Sequence, residues 1–144
     1  MSTVQASTTI AAPAEAIFAI LADPRQHPLI DGSGTVLASI SGPERLSLGA
    51  RFGMDMHRGV PYRIRNRVVE FEEGRLIAWR HVGLHRWRYE LEPVEGGTRV
   101  TETWDDSRYP AAGRLAFRLL GYPEKNQRAI EETLVKLGAA ATRA

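Results

Sequence analysis

The sequence contains no cysteine, which removes disulfides, thiolate metal sites and cysteine nucleophiles and leaves His, Asp and Glu as the candidate metal ligands. Lysine is nearly absent as well. Of 19 basic residues only Lys125 and Lys136 are lysines, so arginine carries almost all of the positive charge. No stretch approaches the roughly 20 apolar residues that a bilayer-spanning helix needs. The opening "MSTVQASTTIAAPAEAIF" has neither a basic nor an apolar leader region, so a cytoplasmic protein without membrane insertion is expected. No G-x-S-x-G, H-E-x-x-H, G-x-x-x-x-G-K-[ST] or strand-to-helix G-x-G-x-x-G occurs, so hydrolase elbows, zincin chemistry and nucleotide cradles lack support.

What is present reads as an ordinary globular chain. With 144 residues, 43% hydrophobic and 25% charged, it can bury one core, and a single domain over residues 1–144 is expected. The net charge of +2 is too slight to announce a nucleic-acid partner. Arg63, Arg65, Arg67, Arg80, Arg86, Arg88 and Arg99 alternate with Glu70, Glu72, Glu90 and Glu92, a pattern of cross-strand ion pairs on a solvated face. His27, His57, His81 and His85 lack metal-ligand spacing on a common element, so neither a metal nor a cofactor is expected.

Periodicity divides the chain into three parts. Residues 3–10, "TVQASTTI", form a first strand. In "AAPAEAIFAILADP" the period changes: Pro13 suits a first turn, Glu15 favours the helix N-terminus, and Ile17, Ile20 and Leu21 share one face. A short helical turn and a Gly-containing loop follow in "PRQHPLIDGSG". From residue 35 come six strands joined by short connections such as "RG", "GLH" and "EGG", which requires antiparallel neighbours. From residue 111 to about 141, Leu115, Leu119, Tyr122, Asn126, Ile130, Leu134, Leu137 and Ala141 fall on one helical stripe. Pro123 after Gly121 kinks or splits that helix.

The element order, the opening "STTIAAPAEAIFAILADPRQHPLIDGSG", the strand "LIAWR" after "VVEFEEG", the strand "GGTRVTETW" and the closing "GYPEKNQRAIEETLVKL" together resemble the START-like, or SRPBCC, superfamily. The likeness is nearest to its bacterial polyketide cyclase/dehydrase-like branch and spans nearly the whole chain. It implies an α+β helix-grip fold: a curved seven-stranded antiparallel sheet wrapped on a long C-terminal helix, with one or two short helices after the first strand. It also implies a cavity between sheet and helix.

Alternation along the strands fixes which side chains face that space. Trp87, Tyr89 and Leu91 share a face, as do Ile77, Trp79 and His81, then Val100, Glu102 and Trp104, then Tyr62, Ile64, Asn66 and Val68, then Phe52, Met54 and Met56. The doubled Val68 and Val69 suggest a bulge that turns Phe71 inward as well. Aromatic and apolar walls with a few polar groups suit a ligand pocket. The candidate ligand-binding set is Met54, Met56, Tyr62, Asn66, Trp79, His81, Trp87, Tyr89, Glu102, Trp104, Leu119, Tyr122 and Asn126.

Three functions fit these residues. The first is binding of a small hydrophobic ligand, lipid-like, aromatic or polyketide-like, with Glu102, His81 and Asn126 orienting its polar atoms. The second is a cyclase or dehydratase in which Glu102 or His81 is the general acid or base and Tyr62 or Tyr89 a hydrogen-bond donor. The third is a ligand-free module that forms a homodimer or serves a stress response.

Overall fold

The computed structural model describes residues 4–81 and 83–143; Thr3 and Val82, assigned to strands by alternation, lie outside them. Seven strands form one antiparallel sheet: β1 (Val4–Ile10), β2 (Val36–Ser41), β3 (Arg51–Arg58), β4 (Val60–Glu72), β5 (Leu76–Arg80), β6 (Arg86–Val94) and β7 (Gly97–Asp105). Their order is β1-β7-β6-β5-β4-β3-β2. The chain therefore leaves one edge after β1, crosses to the far edge, and returns strand by strand through short turns. The crossing segment carries α1 (Ala14–Leu21), a 3-10 turn (Pro24–Gln26) and α2 (His27–Ile30). Asp23 starts that turn by accepting the Arg25 amide at 3.0 Å, the usual role of an acid ahead of an N-terminal proline.

The register of β4 on β5 shifts between Val68 and Glu70. That bulge carries Phe71 to the side of the sheet that holds Phe18, with ring centroids 5.6 Å apart, as the doubled valine implies.

The C-terminal stripe is divided. Residues Ala111–Leu119 form α3 and Tyr122–Thr142 form α4, separated by Gly121 at φ 78°. On α4 the side chains of Ile130, Thr133, Leu134 and Leu137 are buried, the three-and-four spacing of a helix lying on a core. It packs on β1, β7, α1 and α2. The left-handed residue turns α3 out of that phase. Leu119 is consequently 78% exposed, and its expected place in the pocket is corrected: a stripe drawn through Gly121 assumes a continuity that the backbone does not have. Leu115 and Leu120 are exposed too.

The outer face bears the ion pairs that alternation suggested. Glu70 accepts from Arg86 and from Arg88, both at 2.7 Å, and Arg88 also reaches Asp105 at 2.9 Å. Arg99 meets Glu92 at 3.0 Å and Arg63 meets Asp55 at 3.2 Å. Arg88 and then Arg86 hold the Glu70 carboxyl down to about 2 from its usual 4.5. A depressed folded value means that the stabilisation is complete above 4.5 and disappears as pH falls through about 2. The variant Arg88→Met is therefore expected to be about 2 kcal/mol less stable than wild type at neutral pH. Urea midpoints measured from pH 7 downward should show this gap narrowing below 4.5; a gap independent of pH would count against the pair.

Candidate functional site

The sheet register aligns the three tryptophans. Trp79 on β5 stands opposite Trp87 on β6, and Trp87 opposite Trp104 on β7, so the indoles occupy a single cross-strand rung. The next rung on the same face runs Ile77, Tyr89, Glu102 and Ala6. The three tryptophans, Tyr89 and Glu102 wall a cavity of about 330 Å³ between the sheet and α4. Ring contacts bind the wall into a continuous surface. Trp79 lies 5.4 Å from Tyr89, Trp87 6.5 Å from Trp104, and Trp104 meets Phe117 of α3 edge-on at 5.5 Å.

Met54, Met56, Tyr62, Asn66, Trp79, His81, Trp87, Tyr89, Glu102, Trp104, Tyr122 and Asn126 all line this space. Of the anticipated set only Leu119 does not. Alternation failed to find His27, Asp31, His85, Phe117, Lys125 and Thr133, which also line it. They belong to turns, to α2 or to the C-terminal helices α3 and α4, where no period of two applies; Tyr109 behind His85 was missed for the same reason.

His27 is a wall residue held from behind. Its Nε2–H donates to the Leu21 carbonyl at 2.8 Å, and its ring stacks on Trp79 at 4.6 Å. Burial lowers it from 6.5 to about 4, only partly opposed by the bond to Leu21. A folded value below the unfolded one means that stability tied to the neutral ring is complete above 6.5 and is lost toward about 4. An NMR titration should show His27 uncharged at pH 5.5, where an exposed histidine is mostly protonated; a midpoint near 6.5 would contradict this packing.

Glu102 is 3% exposed. Burial pushes its carboxyl well above the usual range, the negative charge of Asp31 adds to this, and a hydrogen bond from the Tyr89 hydroxyl pulls the other way. Burial likewise raises Tyr89 well above an ordinary phenol. The second carboxyl oxygen, Oε1, is buried with no hydrogen-bond partner. A neutral Glu102 carrying its proton on Oε1 would hold a donor with no partner in the protein. Burial also lowers His81, and burial together with His81 lowers His85 to about 4. The polar groups of the cavity thus include a neutral acid and three neutral imidazoles.

Asp31 is different in kind. Its carboxylate accepts from Ser33 N at 3.1 Å, Thr35 N at 3.1 Å and Val36 N at 3.0 Å, which ties the loop after α2 to the start of β2. Among the described residues no group of three or more His, Asp or Glu side chains is placed to hold a metal ion. No helix among them is long and apolar enough to cross a membrane.

A curved antiparallel sheet gripping a long helix over an aromatic cavity defines the helix-grip class, whose architecture suits the binding of small molecules. The chain belongs to the family described as polyketide cyclase / dehydrase and lipid transport, whose profile it matches over residues 1–142. It is 43% identical over 141 residues to the uncharacterized protein Rv0088 of Mycobacterium tuberculosis, covering 93% of this chain and 62% of that one. The chain thus spans less than two thirds of the curated relatives it matches. Among solved structures, the protein CV1439 of Chromobacterium violaceum superposes with a TM-score of 0.71 at 15% identity, covering 99% of both chains. The AHSA1-like protein of Aeromonas hydrophila gives 0.66 at 16% identity, covering 99% of this chain and 96% of that one. At such identities these likenesses concern the fold alone.

Proposed function

We propose that the chain binds a small, mainly hydrophobic molecule in the cavity between the sheet and α4, with the tryptophan rung as the wall and Glu102 as the polar anchor. The observation that carries this reading is Glu102, a residue of the cavity wall whose buried Oε1 has no hydrogen-bond partner. An unsatisfied buried polar atom costs about 1–3 kcal/mol, and a ligand atom that accepts from it removes the cost. Pockets that join apolar walls to a few convergent polar groups are the usual form of small-molecule sites. Native mass spectrometry of protein purified from its own host tests the reading. A non-covalent mass that disappears on denaturation supports it; bare protein that also takes up no aromatic probe overturns it.

A second reading is favoured by one feature, the neutral carboxyl of Glu102 lining the same cavity as neutral histidines. Such a site can act as general acid and base in a dehydration. The Glu102 proton would go to a departing hydroxyl, and a histidine would take the proton from the adjacent carbon. Molecules recovered from wild type and from Glu102→Gln would then differ by one water; identical masses exclude the reaction.

A further inference from the structure

Resting on the cavity reading, a second polar arrangement narrows the chemistry of the occupant. The His85 ring lines the cavity, and its Nδ1 lies 2.9 Å from the Tyr109 hydroxyl. That hydroxyl accepts the Leu84 amide, also at 2.9 Å. The chain admits the phenol there because residue 83 is glycine at φ +90°, where a Cβ would stand 2.3 Å from the Tyr109 oxygen. A phenol oxygen that takes a backbone N–H still has one proton to give, and Nδ1 is within reach of it. Donation to Nδ1 leaves the single imidazole proton on Nε2.

With the Glu102 proton on Oε1, the residues lining the cavity carry two candidate donors, Oε1–H of Glu102 and Nε2–H of His85, both close in the fold to Trp104. Trp104 follows Glu102 by two residues on the same face of β7 and lies 5.9 Å from the His85 ring. Asp31, whose oxygens are engaged by the loop amides, adds a negative charge that an anionic ligand would meet. The exposed cations on the wall are Arg58 and Lys125.

We infer that the ligand is an uncharged molecule whose apolar, ring-containing body bears two hydrogen-bond acceptors of the carbonyl type, one read by Glu102 Oε1–H and the other by His85 Nε2–H. The raised carboxyl and the depressed imidazole agree with these protonation states. Two fixed donors reject an analogue that lacks the acceptor, because the buried groups are then left unpaired.

The test uses three probes of one ring system, 2-acetylnaphthalene, 2-ethylnaphthalene and 2-naphthoate, titrated into the full chain by calorimetry. The acetyl compound is expected to bind about tenfold more tightly than the ethyl compound, the equivalent of one good hydrogen bond, and naphthoate more weakly than either. Glu102→Gln, which keeps a neutral donor, should retain the preference, whereas Glu102→Met should lower it severalfold. In Tyr109→Phe the ¹⁵N signals of His85 should move from a pure Nε2–H form to a tautomer mixture, and the acetyl preference should fall severalfold. Equal affinity for acetyl and ethyl probes, tighter binding of naphthoate, or an unchanged His85 tautomer would overturn the inference while leaving the cavity reading in place. Failure of all three probes to bind would overturn the inference, and together with bare protein in the native mass spectrum it would remove the cavity reading as well.

Discussion

Replacing Gly32 with alanine is expected to lower stability by about 3 kcal/mol and the melting temperature by on the order of 10 °C. The glycine lies against α4, where an added Cβ would come within 2.3 Å of the Ala129 carbonyl oxygen and 2.5 Å of the Thr133 amide nitrogen. Both are helix backbone atoms, which cannot swing aside as the end of a side chain can. The same contact carries a bond from the Gly32 amide to Thr133 Oγ1 at 2.8 Å, and Lys136 Nζ donates to the Asp31 carbonyl at 3.0 Å. Asp31 and Thr133 both line the cavity, so probe affinity should fall together with the melting point. Thr133→Val, which removes only the hydrogen bond, should cost about 1 kcal/mol. A melting curve for Gly32→Ala that overlays wild type would mean that this loop is not docked on the helix as described.

The double variant Tyr89→Phe with Glu102→Met is expected to be as stable as wild type or more so, by up to about 2 kcal/mol, while its preference for a carbonyl-bearing probe falls severalfold. Removing both members of a buried polar pair in favour of apolar groups of similar shape is often neutral or stabilising. Removing one is not. Tyr89→Phe alone withdraws the donor to Glu102 and should destabilise by about 1–3 kcal/mol. Chemical denaturation of the two variants beside wild type checks the order. If the double variant is the less stable of the two, Glu102 is a structural partner and its free oxygen has no role in recognition.

Much of this arrangement was legible in the strands, because a period of two assigns each side chain to a face without knowledge of its neighbours. Trp79, Trp87, Trp104, Tyr89 and Glu102 were placed together on that ground alone. Their alignment into one rung was not, since it depends on the lengths of the turns that join β5, β6 and β7. Leu119 was misplaced because a helical period carries no mark of where a left-handed glycine resets the phase. His85 and Tyr109 were invisible for another reason. They meet across a sequence separation of 24, at the end of a turn and the start of a helix, where neither strand nor helix periodicity speaks. A glycine in the turn just before His85, Gly83, is the one local hint that something approaches the backbone closely.

With the three indoles on a single rung, their ultraviolet transitions sit close enough to mix, and the chain therefore contains its own spectroscopic gauge. A guest sliding against Trp87 and Trp104 should reshape the near-ultraviolet circular dichroism as well as dim the emission. Occupancy can then be followed in unlabelled material, by light alone.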